Sequence, residues 1–558
     1  MERLAIRIGS ENYLNVQDSF YIDKTLFIKD VIDNGIGTVQ LIARPRRFGK
    51  SLALSTLEYF FTNEKDYGYA FTKRKIYQAG DRYWDMHNKY PVVHLNMKSI
   101  SGDRGVDVID KIADQMSLLY RNYSYLLDSD KLIESDKKEI SDIINKKASK
   151  SLLTFSLSRL TLFLSKHFDQ KVILLIDEYD APIQTSYEEN TYQDSILFFR
   201  SFYSEALKGN NNLLFAVVTG VVEISKESLF SGLNNLLVCP LDEARYSNYF
   251  GFNKEEVESI ISYYELDTTY EKLREYYGGY NTANDVEMCN PWSILNFALS
   301  KKYKSFWANT RTNHLVFDLL NKHSDVSRII NSLNNDKAVK KFSSNFTYFD
   351  LNDNTSALLS YLAELGYLSI KPVDREKNLY NFVLPNKEIE EIFETEILNR
   401  YNPEIENILP KFRNALTNGK EEEVASILEE KLLVSLSPFD LNNERNYQNA
   451  VTGALSMLCL DYAIENEMAS GIGRCDIMLT PKKKCLPGIV IELKHSKAKK
   501  QLTPRQLSAL ADKALSQIVE KDYASHLKMT GVKEIYAYGL AFWGKKSAAK
   551  VKKIEINN

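Results

Sequence analysis

Cysteine is scarce in this chain of 558 residues: only Cys239, Cys289, Cys459, Cys475 and Cys485, with no CxxC pair and no histidine spacing of the zinc-binding kind. That excludes a disulfide framework or a structural zinc cluster as the organising device and leaves reduced thiols as the expected state. Long apolar runs are also lacking. The hydrophobic share is an ordinary 44%, yet no stretch of about 18 apolar residues is available to span a bilayer. The opening residues, MERLAIRIGSENY, have no basic start, apolar middle or small-residue cleavage site of a secretory signal. A soluble, cytoplasmic protein with no membrane partner is the expectation. Internal repeats and low-complexity linkers are absent too.

Net charge is nearly absent, at −3, but it is unevenly divided. Residues 471–558 carry 18 Lys and Arg against 7 Asp and Glu, a local charge of +11 that leaves −14 over residues 1–470. Such a basic C-terminal piece is suited to a polyanion, with a solvated lysine-rich surface as the alternative reading. The length suggests about three domains of roughly 150 residues.

Four apolar runs occur in the first 220 residues: TVQLIA (38–43), VVHLNM (92–97), VILLID (172–177) and LLFAVVTG (213–220). Their near-continuous hydrophobicity suits strands buried on both faces of a parallel sheet. Segments with helical spacing lie between them, as with Leu153, Leu157, Leu160 and Leu164, so the fold class is α/β. From about 240 to 400 the chain is aromatic-rich and mainly helical in pattern. Helical patterns at 411–434 and 446–466 then lead to short strands CDIMLT and GIVIELK, a helix from about 504 to 523, and a strand EIYAYGLAFW.

The stretch LIARPRRFGKSLALSTLEYFF (41–61) ends its loop in Gly49-Lys50-Ser51, the close of a phosphate-binding P-loop, but Arg44 stands where the first glycine of that motif belongs. Strand, loop and helix follow one another as the mechanism requires. The backbone N–H groups of loop and helix start face phosphate, Lys50 neutralises β- and γ-phosphate charge, and the Ser51 hydroxyl ligates magnesium. A further buried strand, VILLID, supplies Asp177 for the metal, with Glu178 next to it to orient or deprotonate the attacking water. Thr219, near the end of the fourth run, is a candidate sensor of the γ-phosphate. The loop's arginines are further candidates to touch phosphate or nucleic acid. With them, the ATP-binding set is Arg46, Arg47, Phe48, Gly49, Lys50, Ser51, Asp177 and Thr219.

The segments YIDKTLFI (21–28), RPRRFGKSLALSTLEYFF, LLIDEYDAPI (174–183) and TGVVEISKESLFSGLNNL (219–236) resemble the predicted AAA-ATPase-like family, usually joined to a C-terminal nuclease of the PD-(D/E)XK superfamily. In that family RPRRFGKS is the ordinary form of the loop, so Arg44 is a family trait. The resemblance implies that Asp23 and Lys24 lie near the nucleotide. It also marks Glu223 as standing where many relatives are basic, with Arg245 or Lys226 as substitutes for an arginine-like role. Further landmarks are YFGFNKEEV, YYGGYN, NPWSIL, ELGYLSI and LPNKEIEEIF; Trp292, Tyr280 and Tyr367 within them read as core residues.

In the basic C-terminal piece, GIGRCDIMLTPKKKCLPGIVIELKHSK places Asp476 fifteen residues before Glu492-Leu493-Lys494. Side chains alternate along a strand, so Glu492 and Lys494 share a face and Leu493 takes the other. Two carboxylates suit a hard cation, Mg²⁺ or Mn²⁺, and the lysine positions water and offsets charge on the phosphorus centre. The cluster resembles the GxGRxD…ExK core of the same family's nuclease. By that resemblance Glu444 completes the metal set with Asp476 and Glu492, and Gln517 is the glutamine of the following helix. Relatives commonly carry a Tyr-His pair where this chain has Tyr447-Gln448. Arg474, Lys497, Lys499, Lys500 and Gln517 are the candidate nucleic-acid contacts.

The resulting architecture is an AAA-like P-loop ATPase domain over 1–240, a helical or winged-helix-like middle region over 241–400, and a restriction-endonuclease-like α/β domain over 401–558. The expected function is an ATPase coupled to a metal-dependent nuclease acting on DNA, in defence or mobile-element biology. Two alternatives stand beside it. One is an ATP-driven switch whose C-terminal domain binds nucleic acid or protein without cleaving; the other is a chain that forms homo-oligomers on binding ATP.

Overall fold

The computed structural model describes residues 3–555 apart from 101–107, 190, 224–228, 231–232, 284–285, 308–315, 317–318, 321–332, 334–337, 344–345, 394–408, 433–446, 449–450, 453–454, 456–457, 459–460, 471–472, 484–485, 497 and 499–501. The chain divides into two compact units, Met1–Leu319 with Lys340–Ile389 and Leu320–Val339 with Glu390–Asn558.

The first unit is built on five parallel strands: β1 (Val39–Ala43), β2 (Val92–Asn96), β3 (Val172–Asp177), β4 (Leu213–Gly220) and β5 (Leu236–Cys239). Their order across the sheet is β2-β3-β4-β1-β5. Every residue of β1 and β3 is buried, which is why both appear as near-continuous apolar runs. The four strands expected from those runs are present. The half-exposed β5 is an addition that the apolar pattern did not signal.

Helix α1 (Lys50–Phe61) follows β1 directly, and its Leu54, Leu57, Phe60 and Phe61 are buried. The helix Lys150–Phe168 buries Leu153, Leu157, Leu160 and Leu164, the positions its spacing marked; Ser149 caps it by accepting from the Leu152 N–H. Most of the aromatic middle of the chain, with helices Lys254–Tyr264, Tyr270–Tyr277, Pro291–Ser300 and Thr355–Leu365, belongs to this unit, while Leu320–Val339 and the residues from Glu390 fall in the other. Because all five strands run the same way, the residues that follow them gather at one carboxyl edge, where open parallel sheets hold ligands.

The second unit holds a mixed five-stranded sheet in sequential order: β6 (Tyr462–Ala469), β7 (Arg474–Pro481), β8 (Gly488–His495), β9 (Glu534–Trp543) and β10 (Lys546–Glu555). Only β8 and β9 are parallel, and helix α2 (Pro504–Glu520) makes the crossover between them. Its start is fixed by a capping box of Thr503 and Gln506 with Pro504 in the first turn.

The helical pattern expected through residue 466 is corrected here. Tyr462–Ala469 is a strand paired antiparallel with β7, because Tyr462 and Ile464 alternate into the core. The final strand β10 is also new. It lies at the sheet edge, and its Lys546, Lys550 and Lys553 pair with Glu429, Glu421 and Glu534. Part of the basic excess therefore blunts an edge strand.

Candidate functional site

In the first unit the loop after β1 is shaped without an early glycine. Arg44 is buried, and one nitrogen of its guanidinium donates to the carbonyls of Ala43, Cys239 and Pro240 at 2.7, 2.8 and 2.7 Å. The other terminal nitrogen donates to Arg245 O at 3.0 Å. Arg44 thus ties the loop to the chain leaving β5. Further on, Arg47 and Gly49 both take left-handed backbone, at φ 66° and 94°. A Cβ on Gly49 would meet nothing within 4 Å, so open space lies beside the start of α1.

Lys50 opens that helix and is buried; its Nζ donates to Arg44 O at 2.8 Å and Pro45 O at 3.0 Å. Burial holds its pKa below the usual lysine value, opposed by the charges of Glu178, Asp177 and Asp180. Asp177 ends β3 fully buried. It accepts from Thr219 Oγ1 at 2.6 Å and from Asn96 Nδ2 at 3.3 Å. The sheet order explains the first contact, since β4 lies between β1 and β3 and brings Thr219 between Lys50's strand and Asp177's. Glu178 follows with φ 53°, its carboxyl raised by burial and by the neighbouring Asp177 charge.

Asn96 and Asp180 are members of this cluster that the motif reading missed. Asn96 ends β2 as Asp177 ends β3, so a polar residue closing an apolar run was the available signal. Asp180 accepts the N–H groups of Val221 and Val222, each at 3.0 Å. It joins the segment carrying Asp177 to the segment carrying Thr219. Arg46 donates to Gln184 Oε1 at 3.2 Å. Arg47 donates to Phe306 O at 3.0 Å and lies 4.4 Å over the Trp292 ring. Phe48 packs edge-on against Tyr280.

Asp23 and Lys24 have other partners. Asp23 accepts from Thr25 and from the Lys75 N–H, and Lys24 pairs with Glu256. The Glu223 N–H donates to the buried Glu364 at 3.3 Å, Arg245 supplies its carbonyl to Arg44, and Lys226 lies outside the described residues. Tyr280 and Tyr367 are buried as expected of core residues, whereas Trp292 is half-buried beneath Arg47.

This donor set fits a nucleoside triphosphate with magnesium. Open space lies beside Gly49 at the start of α1, Lys50 and Ser51 occupy its first turn, and Asp177 offers a carboxylate held by Thr219 and Asn96.

In the second unit, Asp476 on β7 accepts from the Leu493 N–H at 2.7 Å, which fixes it against β8. Its own carbonyl accepts from Gln448 Nε2 at 2.9 Å, so the glutamine in place of the family histidine supports the acid's backbone. Leu493 is fully buried. On the other face of β8, Lys494 Nζ donates to Glu492 Oε1 at 3.0 Å. Gln517, carried by α2, donates to the same oxygen and also reaches Tyr523 OH at 3.3 Å.

Glu492 is 2% exposed, and its second oxygen, Oε2, is buried with no hydrogen-bond partner among the described residues. Burial first, then the Asp476 charge, pushes its pKa up to about 7. A buried carboxylate with a vacant lone pair beside another acid is what a divalent cation relieves, so Asp476 and Glu492 fit that group. No cluster of three or more metal-binding side chains occurs among the described residues. Glu444, Lys497, Lys499 and Lys500 lie outside them, while Arg474 is exposed at the start of β7.

Comparison with known proteins finds two family matches along the chain. Residues 7–230 match the family model described as predicted AAA-ATPase, and residues 442–552 match that of the PD-(D/E)XK nuclease superfamily. A protein of Azotobacter chroococcum mcd 1, described as an uncharacterized protein in the vnfD 5' region, is 26% identical over 416 residues, covering 73% of this chain and 73% of that one. No helix among the described residues is long and apolar enough to cross a membrane. The chain therefore joins a domain of the predicted AAA-ATPase family to a domain of the PD-(D/E)XK nuclease superfamily.

Proposed function

We propose that this chain binds and hydrolyses ATP at the carboxyl edge of its parallel sheet and uses the nucleotide state to control a metal-dependent phosphodiesterase acting on nucleic acid, with DNA as the expected substrate. Lys50 and the loop N–H groups hold the phosphates, Ser51 and Asp177 hold magnesium, and Glu178 takes a proton from the attacking water while Thr219 orients Asp177. Asp476 and Glu492 hold the second cation; Mg²⁺ or Mn²⁺ bound there supplies Lewis acidity and a more acidic water. Lys494 keeps its ammonium against Glu492 and within reach of charge developing on phosphate. The reading places the ATPase in residues 1–240, the helical middle in 241–400 and the nuclease in 401–558, in a cytoplasmic protein.

The observation that carries it is Glu492, one oxygen held by Lys494 and Gln517 and the other buried without a donor among the described residues. A module that only bound nucleic acid would gain nothing from that arrangement. The test is cleavage of linear DNA, circular DNA and RNA with Mg²⁺ or Mn²⁺, with and without ATP, by wild type, Glu492→Ala and Lys50→Ala. Wild-type cutting that Glu492→Ala abolishes, with Lys50→Ala losing only its response to ATP, is the expected result. ATP hydrolysis without cutting of any substrate would give the non-cleaving switch the lead.

A further inference from the structure

Four of the five residues from Arg44 to Phe48, in the loop that precedes Lys50, are held by the aromatic middle region, Arg44 also by Cys239 and Pro240 just before it. Arg44 is tied to the carbonyls of Cys239, Pro240 and Arg245. Pro45 packs on Gly366, where an added Cβ would stand 3.0 Å from the proline Cβ and 3.4 Å from Trp307. Arg47 turns its guanidinium onto Trp292 and Phe306 O. Phe48 abuts Tyr280 and Gly251, whose N–H donates to Phe48 O at 3.2 Å.

Behind Arg47 the contact continues. Phe306 O also accepts from Trp292 Nε1 at 3.4 Å, so one carbonyl joins the guanidinium and the indole. The turn at Phe306 and Trp307 is fixed by the buried Glu388, which accepts both N–H groups, at 2.6 and 3.0 Å. Glu388 also accepts the Ser293 hydroxyl at 2.7 Å, one residue beyond Trp292. A glycine-rich loop reaches phosphate through its own backbone freedom. In this loop rigidity comes from side chains anchored elsewhere, and Lys50 already bonds the carbonyls of Arg44 and Pro45. A phosphate that draws Lys50 Nζ away removes a donor from the carbonyls of Arg44 and Pro45, two of the residues held in this way.

From this geometry we infer that Arg47, Trp292 and Glu388 form a positioning relay through which the middle region sets the nucleotide loop and senses its occupancy. It rests on the ATPase reading above. Arg47 serves it as a positioning residue, and its charge is spent on the indole face and on Phe306 O instead of on phosphate.

The full chain with Trp84→Phe and Trp543→Phe retains Trp292 and Trp307 as its only indoles, the first in the relay and the second bonded through its backbone N–H to Glu388. Titration with magnesium-ATP is expected to change their emission saturably, with the midpoint found by equilibrium dialysis of labelled ATP. Arg47→Met in that background is expected to bind ATP within about threefold of the parent, lose the emission change, and turn over about tenfold more slowly with KM little altered. Trp292→Leu should reproduce that kcat loss without approaching the nucleotide, and Trp292→Phe, which keeps a ring, should restore most of it. ATP binding with no emission change would overturn the relay alone. So would an Arg47→Met whose affinity falls tenfold while Arg47→Lys keeps it, the pattern of a direct phosphate contact. Failure of wild type to bind labelled ATP would overturn the ATPase reading, and the relay with it.

Discussion

Gly539 lies directly across the parallel ladder from Glu492. A Cβ on it would stand 2.2 Å from Ala511 O and 2.4 Å from Leu515 N, both backbone atoms of α2. The missing side chain therefore sets how closely α2 approaches the sheet, and α2 carries the Gln517 that holds Glu492. Gly539→Ala should push the helix outward, at a cost of about 1–3 kcal/mol for overpacking, and loosen the Gln517 contact. Expected are a lower melting temperature and a loss of cleavage at least as large as that of Gln517→Ala, with ATP turnover unchanged. Wild-type cleavage by Gly539→Ala would show that this approach does not set the site.

Glu492 also predicts a pH dependence of stability. Its folded pKa is raised from 4.5 to about 7, so between those values the folded chain holds a proton that the unfolded chain releases. Stability should fall as pH rises through that window and level off above about 7, by on the order of 3 kcal/mol at most. Mg²⁺ or Mn²⁺ binds the ionised form, so added metal should recover the loss at pH 8 and have little effect near pH 5. Glu492→Gln should flatten both responses. Thermal melts across pH with and without metal decide it; a metal shift that survives Glu492→Gln would move the cation elsewhere.

Much of both sites was legible because their residues are neighbours in sequence or end apolar strands. Lys50 and Ser51 adjoin Gly49, Asp177 and Thr219 close buried runs, and Glu492 and Lys494 share a strand face. What stayed hidden depends on long-range register. Gln448 under Asp476 and Asp180 across to Val221 are side-chain bonds between distant segments, and Gly539 opposite Glu492 follows from strand pairing, none of which a local pattern carries. The strand β5 is four residues and half-exposed, and β10 disguises its alternation with edge lysines, so neither shows an apolar run. The residues 462–466 looked helical as a continuation of the preceding pattern, but pairing with β7 favoured period two over local propensity.

The hydrogen bond from Thr219 to Asp177 at 2.6 Å separates metal positioning from nucleotide binding. Thr219→Val keeps the shape and removes the donor, leaving the buried carboxylate with Asn96 as its remaining named side-chain donor, a cost of about 1–3 kcal/mol. ATP should still bind through Lys50, while turnover falls. Glu178→Gln removes the proposed base and should lower kcat about 10²- to 10⁴-fold with affinity retained. Single-turnover hydrolysis beside binding by dialysis distinguishes the two losses. An equal fall in affinity for Glu178→Gln would make it a ligand for the nucleotide's metal and not a base.

Arg44→Gly restores the glycine that a standard P-loop has at this position, and the structure argues that it makes this loop worse. The guanidinium donates to four carbonyls from a position only 4% exposed. Burial lowers its pKa only to about 10, so it is charged at neutral pH. Charge-assisted hydrogen bonds contribute about 1.5–3 kcal/mol each, and glycine leaves four carbonyls without this donor and a cavity between β1 and β5. Loss of about 3 kcal/mol or more is expected, with weaker ATP binding because Arg44 O and Pro45 O, the seats of Lys50, lose their anchor. Arg44→Lys should recover little, since one ammonium cannot span four carbonyls in the guanidinium plane. Melting temperature and ATP affinity for both variants test the point. A stable Arg44→Gly that bound ATP more tightly would mean that backbone freedom, and not this anchored arginine, is what the loop needs.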